Sequence, residues 1–94
     1  MFEGILKRLR EKIRTRQYVM TVHAEEEMND DGLTIFDVEH AVLTGRIVER
    51  QRDAETGEWK YLVKGDTLGN GETVLVAKLS PTGKLVIITV YVEE

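Results

Sequence analysis

The sequence has no cysteine and one proline, and aromatic side chains make up only 6% of it. Without cysteine there is no disulfide framework, no thiolate zinc site and no thiol nucleophile. No apolar run approaches the roughly 18 residues of a membrane span. The N-terminus lacks the apolar core, followed by small residues, that marks a signal peptide. The expectation is a cytoplasmic protein with no membrane contact. HExxH, the phosphate-binding P-loop, GxSxG and the dinucleotide fingerprint are all absent, so no cofactor is expected.

What remains is the composition of a globular chain: 41% hydrophobic, 32% charged, 94 residues, read as a single domain over 1–94. The net charge of −4 hides an asymmetry. Residues 1–17 carry six bases against two acids, and the rest carries seven bases against fifteen acids. Five of those acids form one knot: Glu25, Glu26, Glu27, Asp30 and Asp31. A basic arm on an acidic body suits either a nucleic acid or an acidic partner.

Phe2, Ile5, Leu6, Leu9 and Ile13 recur at helical spacing, with bases opposite them. They predict a basic amphipathic helix as an extension over 1–17. Tyr18 to Val22 is a short β-prone run, and His23 to Met28 reads as a short helix stopped by Asn29-Asp30-Asp31-Gly32. Thr34 with Asp37 reads as a capping box, and Gly45 as a left-handed stop to the helix that follows. Beyond Gly45 the period becomes 2. Strands are expected at about 46–52, 58–64, 72–79 and 85–92, joined by short turns. The predicted fold is α+β: N-terminal helices, then a four-stranded antiparallel β-meander.

If Arg52 pairs with Glu58, Arg50 lies opposite Lys60 and Arg46 opposite Lys64. Arg46, Arg50, Arg52, Lys60 and Lys64 then share one face. Like charges across strands repel, so this face invites an anion, unless nearby carboxylates neutralise it. The second hairpin is apolar on both faces: Leu75, Ala77, Leu79, Leu85 and Ile87 on one, Val74, Val76, Val86, Ile88, Val90 and Val92 on the other. Such a sheet needs cover on both sides, which points to a homodimer or a hetero-complex.

There are two histidines. His40 falls in the capped helix among polar neighbours and reads as an exposed helix residue. His23 falls where a strand becomes a helix. It caps or packs there, or it serves as a general acid or base, since imidazole titrates near neutrality. Glu27 one turn on would give a metal only two ligands, too few for a site. Metal-free RNA cleavage needs a base for the 2′-hydroxyl, an acid for the leaving oxygen and cations for the phosphorane. His23, Lys60 and a tyrosine such as Tyr91 or Tyr61 fit those roles, with Arg46, Arg50, Arg52 and Lys64 as substrate-binding bases.

His23-Ala24 with Met28, Gly32-Leu33-Thr34 with Asp37-Val38, Gly45 with Ile47, and Ile87-Ile88-Thr89-Val90-Tyr91 resemble the small bacterial and archaeal family known as domain of unknown function 4258. The resemblance covers about residues 18–92. It implies kinship with RelE-like and MqsR-like messenger-RNA interferases, a RelE-like architecture, an antitoxin partner and RNA as substrate. It singles out His23 and the strand around Tyr91. The family commonly has arginine before the glycine of its Arg-Gly-Ile-Ser stretch, where this chain has Asp31. A non-catalytic binding or dimerisation module is the alternative expectation.

Overall fold

In the computed structural model, which describes residues 1–92, three helices pack on one side of a five-stranded sheet. The order is α1 (Glu3–Arg14), β1 (Tyr18–Met20), α2 (Val22–Asp30), α3 (Ile35–Thr44), β2 (Arg46–Arg52), β3 (Trp59–Asp66), β4 (Glu72–Leu79) and β5 (Leu85–Val92). The strands lie in the order β1-β5-β4-β3-β2. The sheet is therefore mixed and five-stranded, which corrects the expected four-stranded meander. β2 to β5 pair antiparallel, but Tyr18–Met20 adds a parallel strand beside Leu85–Ile87. Parallel pairing closes a loop that spans most of the chain, so no local turn signal announces it.

Local chemistry sets the helix ends. Thr21 caps α2 by accepting the Ala24 N–H at 3.1 Å. Gly32, at φ +70°, ends it, while the Leu33 N–H bonds the Met28 carbonyl and the Gly32 N–H bonds that of Asn29. The capping box of α3 is formed: the Asp37 N–H donates to Thr34 Oγ1, and the Thr34 N–H to Asp37 Oδ2 at 2.9 Å. Gly45 ends α3 differently from expectation. Its backbone is extended, at φ −90° and ψ −168°. Glycine is required there by crowding, since a Cβ would collide with the carbonyls of Ala41 and Lys64.

The core lies between the helices and the sheet. Leu9, Ile13, Ala24, Val38, Ala41 and Val42 meet Ile47, Tyr61, Val63, Leu75, Ala77, Leu85, Ile87 and Val90. Arg10 joins α1 to α3 by donating to the carbonyls of Val42 and Gly45 at 3.2 and 2.8 Å. One base of the first helix is thus a tie at the C-terminal end of another helix.

A displaced turn and two β-bulges correct the expected faces. Asp53 Oδ1 accepts the N–H groups of Glu55 and Thr56, and the Asp53 N–H bonds the Glu58 carbonyl. The turn therefore closes on Asp53 and Glu58, one residue later than expected. Arg52 lies opposite Trp59, Gln51 opposite Lys60 and Arg50 opposite Tyr61. A shift between Ile47 and Glu49 then restores Arg46 to Lys64. The basic residues do not share one face: Arg50 and Arg52 join Trp59 and Tyr61 on the helix-bearing side, while Arg46, Lys60 and Lys64 face away. In β5 a shift after Thr89↔Val76 leaves Ile88 as the extra residue and brings Val90 opposite Leu75, into the core.

Candidate functional site

β1 is only three residues long, so it covers β5 only as far as Ile87. Beyond that, side chains at and within α2 take the place of a neighbouring strand. Thr21 Oγ1 donates to the Ile88 carbonyl at 3.0 Å. Glu27 Oε1 accepts the Val90 N–H at 3.2 Å, and Asp31 Oδ2 accepts the Val92 N–H at 3.3 Å. Two of the five acids in the knot are therefore sheet-edge acceptors that satisfy backbone donors.

His23 stands in the first turn of α2, with its side chain 67% exposed and Nε2 3.1 Å from Glu27 Oε1. The imidazole thus lies beside a carboxylate that the sheet itself holds. An imidazole beside a carboxylate, on a rigid element, is an arrangement suited to proton transfer. The two groups supply only two potential metal ligands. Among the described residues there is no cluster of three or more that could hold an ion.

Tyr91 is 40% exposed and lies on the uncovered side of β5. The pairings Arg46↔Lys64, Lys64↔Val74 and Val74↔Tyr91 set Arg46, Lys64, Val74 and Tyr91 in one row across that face. Three of the predicted site residues, Arg46, Lys64 and Tyr91, thus share a face and a row, with Lys64 about 10 Å and Arg46 about 14 Å from Tyr91 at about 4.8 Å per strand. His23 belongs to the helical layer, reached around the edge of β5.

Lys60 lies elsewhere. It precedes Tyr61, which pairs with Ala77, and so sits beside Lys78, whose own partner is Val86. At about 3.3 Å per residue and 4.8 Å per strand, Lys60 and Tyr91 are roughly 15–20 Å apart. The Lys60 ammonium is 3.1 Å from Asp53. Asp53 is held down to about 2 by the Thr56 N–H, then by Lys60 and the Glu55 N–H. Arg50 and Arg52 stack against Trp59, with guanidinium carbons 4.2 and 5.2 Å from the ring centroid. His40 is half-buried in α3.

Sequence reasoning placed Glu27 one turn from His23 but weighed it only as a metal ligand, and it gave Tyr18 and Trp59 no role. Glu27 follows His23 by four residues, the helical spacing that puts two side chains on one face. The Tyr18 phenol donates to Glu39 on α3, and burial followed by this carboxylate pushes it up to about 12. No sequence signal pairs those two. Trp59 is the chain's single tryptophan and is 37% exposed, and its composition alone could have drawn attention.

No helix among the described residues is long and apolar enough to cross a membrane. No solved structure matches this chain. A stretch of 57 residues is 40% identical to the mRNA-capping enzyme subunit alpha of Eremothecium gossypii, covering 61% of this chain and 12% of that protein. The chain thus spans about an eighth of the length of this relative. The broader match is to a family pattern that runs from Met20 through both glycine stops, the bulged hairpins and the Tyr91 strand. By that match over residues 20–92, the chain belongs to the family described as domain of unknown function (DUF4258).

Proposed function

We propose that this domain is a toxin-like, metal-independent ribonuclease, a messenger-RNA interferase of RelE-like architecture held inactive by an antitoxin. The observation that carries this reading is the His23–Glu27 dyad at the open edge of β5. His23 takes the proton of a 2′-hydroxyl, and the resulting oxygen attacks the adjacent phosphorus. The departing 5′-oxygen receives a proton from the Tyr91 phenol. Arg46 and Lys64, in the row with Tyr91, offset the charge that gathers on the phosphorane. Lys60, held by Asp53 at the far end of the sheet, acts in this reading only as a surface cation.

The test is cleavage of single-stranded RNA by protein purified free of any partner, with chelator present. A general acid–base group contributes about 10²–10⁴-fold in rate. His23→Ala is expected to lose about that factor with its circular dichroism unchanged. Cleavage at the wild-type rate by His23→Ala removes the dyad from the mechanism. No cleavage by the wild type removes the ribonuclease.

A second reading, a non-catalytic protein-binding or dimerisation module, is favoured by a separate observation. All three helices lie on one side of the sheet, and Leu62, Val76, Val86 and Ile88 remain only half-buried within the described residues. Self-association would cover them. Sedimentation of the purified chain tests this: a monomer at all concentrations rules out the homodimer.

A further inference from the structure

The dyad lies among Glu25, Glu26, Asp30 and Asp31, which repel a polyanion. The opposite side of the molecule has the reverse character. Trp59 opens β3 on the helix-bearing face, and Arg50 and Arg52 sit against its ring. The ring shares a groove of about 300 Å³ with Ile5 and Arg8 of α1 and with Tyr61 and Leu79. Of the three acids of the adjoining turn, Asp53 is engaged by Lys60 and Glu58 by Lys78, each at 3.1 Å, and Glu55 is exposed. Among the described residues, Arg8, Arg50 and Arg52 have no carboxylate within 4.0 Å. Two guanidinium groups thus lie against a partly exposed indole, and a third, that of Arg8, lines the same groove.

We propose that the corner formed by Trp59, Arg50, Arg52 and Arg8 is a binding site for single-stranded RNA, distinct from the His23–Glu27 dyad. It rests on the ribonuclease reading for its choice of RNA and adds the surface that holds the strand. An unpaired base stacks on the indole, or on the guanidinium plane lying over it. The arginines take the flanking phosphates through paired N–H donors. A phosphate here also relieves the repulsion between two guanidinium groups set against one ring. A duplex keeps its bases stacked inside and offers no free face to Trp59. An acidic peptide uses the arginines and ignores the ring.

Because Trp59 is the single tryptophan, its fluorescence reports the site directly. The probe is a 2′-O-methyl RNA oligonucleotide, which lacks the 2′-hydroxyl and cannot be cleaved by this chemistry. Titration into the wild type is expected to quench the emission, with an affinity that falls as salt rises. Anisotropy of the labelled oligonucleotide then compares variants: Trp59→Ala is expected to bind about tenfold more weakly, and Trp59→Phe near wild type. The double variant Arg50→Ala with Arg52→Ala is expected to lower the salt slope by roughly 1.4. No quenching, equal binding by Trp59→Ala, or a duplex bound as tightly as the single strand overturns the site. Poly-glutamate that binds equally to wild type and Trp59→Ala and displaces the oligonucleotide assigns the corner to acidic peptides instead. The two readings fail separately. Trp59-dependent binding without cleavage of ordinary RNA keeps this site and loses the ribonuclease. Cleavage with KM unchanged in Trp59→Ala keeps the ribonuclease and loses this site.

Discussion

The Val90 N–H donates to Glu27 Oε1 at 3.2 Å, and this bond ties α2 to a sheet edge that has no strand beside it. The same oxygen lies 3.1 Å from His23 Nε2. One carboxylate therefore serves the fold and lies beside the imidazole. A lesion at Glu27 reaches both.

Glu27→Ala leaves the Val90 N–H without its acceptor in a partly buried place. The expected loss of stability is about 1–2 kcal/mol, read as a lower urea midpoint at unchanged slope. Glu27→Gln keeps an acceptor oxygen for Val90 and is expected to lose less than half of that. If the two variants lose equally, the carboxylate charge rather than the edge hydrogen bond holds α2.

Gly65 and Gly4 are expected to respond in opposite directions to the same change. A Cβ on Gly65 would drive into the Ala41 backbone where α3 crosses β3, whereas nothing lies within 4 Å of one on Gly4. Gly65→Ala is expected to cost about 1–3 kcal/mol, because backbone on both sides must shift. Gly4→Ala, in the first turn of α1, is expected to gain up to about 1 kcal/mol from helix propensity. Thermal unfolding of the two variants checks both signs.

The parts legible in the sequence are those decided within a few residues. Thr34 and Asp37 are three apart, and the capping box forms as read. Gly32 ends α2 because its left-handed backbone is a local need. The four strands after Gly45 follow from period 2 and turn residues. The pairing of Tyr18–Met20 with Leu85–Ile87 was not legible, because its partners are far apart in the chain and β1 is too short to show alternation. Nor were the bulges at Val48 and Ile88, each a single extra residue that reverses every side chain beyond it. Arg50 was expected beside Lys60 and lies beside Tyr61 because the turn closes on Asp53 and Glu58, one residue later than the sequence suggests. His23 and Glu27 could be placed one turn apart, but the anchoring of Glu27 on Val90 depends on the bare edge of β5, which only the topology creates.

Tyr18 and Glu39 give an alkaline signature. Burial, then the hydrogen bond to Glu39 and its charge, raise the phenol from 10.0 to about 12. The neutral phenol is the form the fold favours. Its contribution is therefore fully present below the unfolded value near 10 and is lost as pH rises from there through about 12. Absorbance titration at 295 nm is expected to show one tyrosine ionising late, and that step should vanish in Tyr18→Phe. That variant also leaves Glu39 without its donor, at a cost of about 1 kcal/mol near neutrality. A late step that persists in Tyr18→Phe belongs to another tyrosine.

Asp37 offers the acid counterpart. One oxygen accepts the Thr34 N–H at 2.9 Å, and the other accepts the Leu68 N–H at 2.9 Å, from the loop between β3 and β4. These two backbone donors hold its carboxyl below the ordinary value of 3.8. The ionised form is the one the fold favours. Its stabilisation is present above the unfolded value near 4 and disappears as pH falls through the lower folded value. Asp37→Ala is expected to cost about 1 kcal/mol at neutral pH, the usual worth of a helix cap. The gap between variant and wild type should then narrow as the pH drops below about 4, because protonation removes from the wild type what the substitution has already taken. Hydrogen exchange separates the two contacts. The Leu68 amide is expected to lose protection in Asp37→Ala, since its acceptor is gone. In Thr34→Ala, which removes only the cap hydroxyl, that amide should stay protected. If Leu68 exchanges at the same rate in wild type and Asp37→Ala, the loop is held by Thr67 and Gly71 alone.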